Sequence, residues 1–252
     1  MKVFISSLRM FVATVVFTLL VSFSSGVFIF VPSSLGLFSL GEPLFFLSAL
    51  LFGSFVGAFV GGVGFALSNL LLGYPHYVFA SLSVNFLAGF VVGGLNRDVR
   101  RVNRILGLAS SLILVLLFGL VGVTIYSGEV FLGCVKNFFL GERVLMFDGL
   151  YAFSVYVSEW FWIINSILIA FYIFLVDFRR NCKYRNASLS LLVGCFIIVF
   201  GYFVYETFML PYLFNIKVSS VANVFTNIGH SVLSATIAYL FSEIVQFKKR
   251  VC

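Results

Sequence analysis

Charge is what this sequence has least of. Only 10% of its 252 residues are Asp, Glu, Lys or Arg, 62% are hydrophobic, and the mean hydropathy is +1.14. A soluble domain carries about 25% charged residues and is nearer ~45–50% apolar, so a water-soluble globule is excluded. Cysteine is scarce and unpatterned. Cys134, Cys182, Cys195 and Cys252 form no C-x-x-C and no Cys/His ligand spacing, which supports neither a metal site nor a disulfide framework. Enzyme signatures are missing too: no H-E-x-x-H, no G-x-S-x-G, no P-loop and no paired catalytic carboxylates. A lone glutamate such as Glu159 or Glu206 lacks the partner that acid–base or metal chemistry needs. No enzyme activity and no cofactor are expected, and any ATP-driven process would need a separate subunit.

Long apolar runs are what the chain does have, at 10–31, 37–72, 78–95, 105–126, 151–176, 187–209 and 220–245. A spanning helix takes ~20 mostly apolar residues. The second run is too long for one crossing, because at ~1.5 Å per residue it would reach ~54 Å against a ~30 Å hydrocarbon core. It reads either as one tilted helix with an interfacial end or as two helices breaking near Gly53 and Ser54.

The basic clusters decide between these. They lie at Lys2/Arg9, Arg97/Arg100/Arg101/Arg104, Arg179/Arg180/Lys183/Arg185 and Lys248/Lys249/Arg250. Two crossings put thirteen of the 16 Lys and Arg on the cytoplasmic side and leave Lys136, Arg143 and Lys217 outside. A single crossing breaks the positive-inside rule. The sequence therefore predicts an all-α integral membrane protein of about eight transmembrane helices with both termini cytoplasmic. The net charge of +7 then orients the chain in a bilayer, and no nucleic acid partner is expected. Lys2 and Arg9 ahead of an apolar run resemble a signal peptide, but no small-x-small cleavage site follows, so a retained first helix is expected.

Within this topology the polar residues at membrane depth gather toward the outer side. Glu42 and His76 fall at outer helix ends or loops, Asn69 near the outer end of the third helix, and Asn85 in the outer half of the fourth. Glu159, Trp160 and Trp162 fall in the sixth. Tyr202 and Glu206 are i, i+4 on the seventh and share a face, while Asn223, Asn227 and His230 are i, i+4, i+7 on the eighth. Each has a plain reading: the aromatics as an interfacial belt, the asparagines as interhelical glue, His230 alone as a packing histidine. Together, at one depth on several helices, they predict an outward-facing small-molecule pocket. Gly53, Gly57 and Gly61 repeat every four residues, which marks either tight burial in the bundle or a docking face.

The stretch Gly36-Leu-Phe-Ser-Leu-Gly-Glu42, followed by LFGSFVGAFVGGVGFALSNLLLGYPHY over 51–77, resembles the substrate-binding S component of energy-coupling factor (ECF) transporters, closest to the riboflavin-type group. That group reads G-Y-F-N-L-G-D, then L-L-F-G-P-x-x-G-A-x-x-G-G-x-G-x-A-x-A-D-L-L-L-G-Y-x-H-Y. Near the C-terminus Gly201-Tyr202-Phe-Val-Tyr205-Glu206 resembles its G-Y-F-x-x-E, and the segment from Asn223 to Gly229 its N-x-x-Q-x-x-G. Glu42 and Asn69 stand where the group has Asp, Asn85 and Ala88 where many members have Lys and Glu, and Thr226 replaces Gln. In the docking motif A-x-x-x-A, Ala13 is followed by Phe17 instead of alanine.

The resemblance implies a six-helix core, formed by 1–104 and 179–252, with 105–178 as an inserted transmembrane hairpin bearing an outer loop at 127–150. It implies a vitamin-like ligand with fewer charges than the group's usual one. It further implies a transmembrane coupling subunit and two cytoplasmic ATPase subunits as partners, in the plasma membrane. Glu42, Asn69, His76, Asn85, Tyr202, Glu206, Asn223 and Asn227 are the substrate-binding candidates, and Ala13, Gly53, Gly57 and Gly61 the docking candidates. A non-transporting membrane sensor or assembly protein on the same scaffold is the alternative.

Overall fold

The computed structural model describes residues 2–34, 36–98, 104–135, 149–179 and 187–251. Eight helices are present among them. α1 is Lys2–Ser24, α2 Gly41–Phe52 and α3 Ser54–Leu71. α4 opens with a 3₁₀ turn, Pro75–Tyr77, and continues through Val78–Ala80, a π turn Ser81–Asn85, and Phe86–Asp98. α5 is Arg104–Ile125 and α6 Glu159–Arg179. α7 runs through Ala187–Val204, a second π turn Tyr205–Met209, and Leu210–Phe214, and α8 is Ser220–Val251.

By length and apolarity, five stretches can cross a membrane unaided: Ser54–Leu71, Pro75–Arg97, Ile105–Ile125, Ala187–Phe214 and Ser220–Val245. α1, α2 and α6 contribute shorter apolar stretches. Large apolar side chains cover the outside, among them Phe11 and Phe23 on α1, Leu116 and Leu120 on α5, and Ile167 and Phe171 on α6. A surface of this extent is incompatible with water and natural to lipid. The chain is a multi-pass membrane protein.

Close approaches fix the direction of each helix relative to its neighbours. Ala49 faces Gly57 and Phe45 faces Gly61, pairs symmetric about Gly53, so α2 and α3 form an antiparallel hairpin hinged there. The expected break thus falls at Gly53, whose φ of +91° suits glycine alone. Gly57 faces Gly89 and Gly61 faces Asn85, which makes α3 and α4 antiparallel. Cβ atoms at Gly57 and Gly61 would lie 2.7 and 2.6 Å from the carbonyl oxygens of Gly89 and Asn85, so the backbones touch only because side chains are absent. Gly201 against Val84 and Gly194 against Val92 set α7 antiparallel to α4, and Gly119 against Ser166 and Gly122 against Trp162 pair α5 with α6. Tyr126 beside Gly229 and Ser111 beside Tyr239 set α5 antiparallel to α8. All these relations fit helices that alternate in direction along the chain.

The glycine ridge is therefore consumed inside the monomer. Gly53, Gly57 and Gly61 are buried against α2 and α4, which matches the tight-burial reading of the ridge. At the Gly53 end of the hairpin Asn96 Nδ2 donates to Leu50 O at 2.9 Å and Arg97 Nη2 to Phe52 O at 2.5 Å. These bonds satisfy carbonyls that the C-terminus of α2 leaves orphaned.

Two of the apolar runs expected to form one helix each are not single helices. The run 10–31 ends in a strand, β1 (Val27–Val31), which pairs with β2 (Gly36–Ser39). The run 151–176 begins in β4 (Gly149–Val157), and β3 (Gly128–Val135) lies in the segment expected as an outer loop. Together they form an antiparallel sheet in the order β2-β1-β3-β4 over one end of the helices. Phe38 of β2 and Val31 of β1 pack with Phe118 and Val121 of α5, Tyr126 just beyond its end, and Val232 and Leu233 of α8. This second core ties the sheet and α5 to the rest of the bundle.

Candidate functional site

Glu42 lies in the first turn of α2, where unpaired backbone N–H groups favour a carboxylate, and it is 8% exposed. His230 Nδ1 lies 2.7 Å from its Oε1, and Ser234 Oγ donates to its Oε2 at 3.1 Å. The other imidazole nitrogen, Nε2, accepts the backbone N–H of Ser39 at 2.7 Å, so the proton sits on Nδ1. Nearby, Tyr126 donates its hydroxyl to Leu37 O at 2.7 Å. Burial, then the charge of Glu42, push the Tyr126 hydroxyl above its ordinary pKa.

The second carboxylate, Glu206, is 4% exposed on the π turn of α7. Tyr77 Oη donates to its Oε1 and Asn223 Nδ2 to its Oε2, each at 3.1 Å. Beside it, Tyr202 Oη accepts from Asn85 Nδ2 at 3.1 Å and shares a hydrogen with Ser81 Oγ at 3.3 Å. Asn69 Nδ2 donates to Ser81 Oγ at 2.7 Å, which ties the end of α3 to the same network. Tyr205 Oη donates to the His76 carbonyl. The rings of Tyr202 and Tyr205 lie 6.4 and 6.1 Å from that of Tyr77, and the His76 ring packs on Tyr77 and Phe214.

Both π turns belong to this network: Ser81–Asn85 carries Ser81 and Asn85, and Tyr205–Met209 carries Glu206. A π turn inserts an extra residue into a helix, re-aims the side chains around it, and recurs at functional sites.

α8 joins the two carboxylates. Asn223, Asn227, His230 and Ser234 follow one another at helical spacing on one face. Asn223 binds Glu206, and His230 and Ser234 bind Glu42. Asn227, between them, makes its described bond through its carbonyl, which accepts from Ser231 Oγ. Seven of the eight substrate-binding candidates thus fall in one of two linked networks, and Asn227 borders both. Tyr77, Ser81, Ser39 and Ser234 join the networks without having been candidates, and His230, a member of the expected polar cluster, bonds Glu42 as well as packing. The i, i+4 spacing of Ser234 to His230 was the available signal. Glu159 and Trp160 are exposed, whereas Trp162 donates to Tyr126 O at 3.0 Å and packs on Phe118.

A family model described as "ECF-type riboflavin transporter, S component" matches residues 2–143. The chain belongs to this family. The matched segment holds α1 to α5 and three of the four strands, and therefore Glu42, Asn69, His76, Tyr77, Ser81 and Asn85. An uncharacterised protein in the gap 3′ region of Pyrococcus woesei is 37% identical over 76 residues, covering 30% of this chain and 51% of that protein. The chain spans about half the length of this curated relative. No solved structure matches.

Proposed function

We propose that this chain is the membrane-embedded substrate-binding subunit of an ECF-type uptake transporter. It takes a vitamin or similar small molecule from outside the cell and works with a transmembrane coupling subunit and two cytoplasmic ATPase subunits. The observation that carries the reading is convergence. Glu42 from α2, Asn85 from α4, Tyr202 and Glu206 from α7 and Asn223 from α8 all meet at one end of the bundle. Buried polar groups brought together from four helices at membrane depth are costly unless they serve a ligand or one another.

On this reading the polar end opens outward, both termini are cytoplasmic, and the membrane is the plasma membrane. α1 to α4, α7 and α8 form the six-helix core, and α5 and α6 form the inserted hairpin. Ala13 remains a docking candidate, on the helix whose neighbouring Phe11, Val12, Val15 and Val16 are exposed.

Native mass spectrometry of the protein, purified in mild detergent from the cells that make it, tests the proposal. A retained vitamin-sized ligand together with coupling and ATPase subunits is the expected result. A chain that emerges alone and empty would move the assignment to a sensor or assembly protein on the same scaffold.

A further inference from the structure

The pair formed by α5 and α6 holds a cavity that the polar networks do not touch. It has a volume of about 480 Å³ and is lined from Leu112 to Thr124 on α5 and from Ile163 to Ala170 on α6. Leu116, Leu120 and Ile167 among its lining residues are exposed, so it is a groove open along one side. Among the described residues α6 has its main packing partner in α5, which leaves that side to the bilayer. We propose that the groove is a specific lipid site, filled by one hydrocarbon tail of a membrane lipid from the leaflet at the sheet end of the bundle. This does not depend on the transport reading.

The lining selects an apolar guest. Apart from Thr124 and Ser166 it is aliphatic side chains and Gly119. Both hydroxyls are spent on their own helix: Thr124 Oγ1 donates to Leu120 O and Ser166 Oγ to Trp162 O, each at 2.8 Å. A buried water needs ~2–4 polar partners, and no donor here is free to supply one. Left empty, the groove walls would forfeit their dispersion contacts on one side.

Length and width select a single tail. From Leu112 to Thr124 the groove follows α5 for ~18 Å at ~1.5 Å per residue. One leaflet is half of the ~30 Å hydrocarbon core, or ~15 Å. The groove also begins where a tail must begin, since Thr124 is next to Ile125, the last residue of α5 before the sheet. Spread over ~18 Å of helix, the volume gives a channel of ~27 Å² in section, or ~6 Å across. Carbon atoms in contact lie ~3.5–4.0 Å apart, so a single methylene chain fits such a channel. A transmembrane helix of a partner, ~10–12 Å across with its side chains, does not enter it.

Photolabelling tests the proposal. The full chain is placed in phosphatidylcholine nanodiscs containing a trace of phosphatidylcholine with a diazirine midway along one tail. After irradiation, peptide mass spectrometry compares Leu116 and Leu120 in the groove with Leu19 and Leu20, exposed leucines of α1. The groove pair is expected to label about tenfold more, the occupancy ratio that ~1.4 kcal/mol of preference over bulk lipid gives. Ala170→Phe places a ring in the groove and should bring its labelling down to the α1 level. Equal labelling of the two pairs in the unmodified chain means ordinary contact with bulk lipid and overturns the proposal. So does an unlabelled groove on a chain that native mass spectrometry finds carrying another apolar molecule. The unmodified chain decides between these outcomes even where Ala170→Phe does not fold.

Discussion

His230 donates from Nδ1 to Glu42 at 2.7 Å while its Nε2 accepts the backbone N–H of Ser39 at the same distance. One imidazole therefore holds α8 to both sides of the start of α2. In His230→Ala the Ser39 N–H and one carboxylate oxygen lose their partners. Each unsatisfied buried group costs ~1–3 kcal/mol, so a large drop in thermal stability in detergent is expected. A double-mutant cycle with Glu42→Gln should return a coupling of ~0.5–3 kcal/mol. Strict additivity would show that the two residues do not act as a pair.

Glycine packing between α3 and α4 gives a graded test. Gly57→Ala and Gly89→Ala each drive a methyl group into the facing backbone or the Phe45 ring, and overpacking of this kind costs ~1–3 kcal/mol. Gly94→Ala is the control on the same helix, because its Cβ would meet only Ser54 Oγ at an ordinary 3.7 Å. Thermal unfolding should rank the two buried variants well below Gly94→Ala. Equal melting of all three would contradict the close helix contact.

Gly53 is the hinge of the α2–α3 hairpin, with φ +91° and ψ −168°, a region open essentially to glycine. Gly53→Ala should cost ~1–3 kcal/mol in backbone strain, measured as a shift in unfolding temperature. Its Cβ would also push against the Arg97 side chain that caps Phe52 O. Arg97→Ala, which leaves that carbonyl to solvent near an exposed side chain, should have the smaller effect.

Tyr202 accepts from Asn85 and is bonded to Ser81. Tyr202→Phe keeps the ring and removes the hydroxyl, and the loss of one hydrogen bond worth about 1.4 kcal/mol is tenfold in affinity. Ligand binding to Tyr202→Phe should weaken by that order, with the helices intact by circular dichroism. Asn85→Lys replaces the amide that donates to Tyr202 with a long charged side chain and should weaken ligand binding further. Tighter binding by Asn85→Lys would contradict the expected loss.

The helices and the break at Gly53 were legible because lipid imposes length and charge rules on any spanning segment. Val27–Val31 and Gly149–Val157 were not legible as strands. Their runs are apolar on both faces and continuous with helix, and a short run without alternation does not distinguish strand from helix. Tyr202, Glu206 and Asn223 could be placed near one another from spacing and depth alone. The bond from His230 to Glu42 could not, because it joins the second helix to the last and depends on how the bundle closes. The π turns left no trace in periodicity, so the direction in which Asn85 and Glu206 point came only from the structure.

The order of the sheet has a consequence for stiffness. β1 is hydrogen-bonded to β2 on one side and to β3 on the other, so the segment leading to Glu42 and the one joining α5 to α6 form a single laced panel. Parting that panel means breaking ladder bonds in a row. The turn at 215–219 between α7 and α8 belongs to no strand or helix and passes directly to Asn223. The panel is thus the stiff side of this end of the bundle, and the 215–219 turn, free of ladder bonds, the side that can shift at the lower cost.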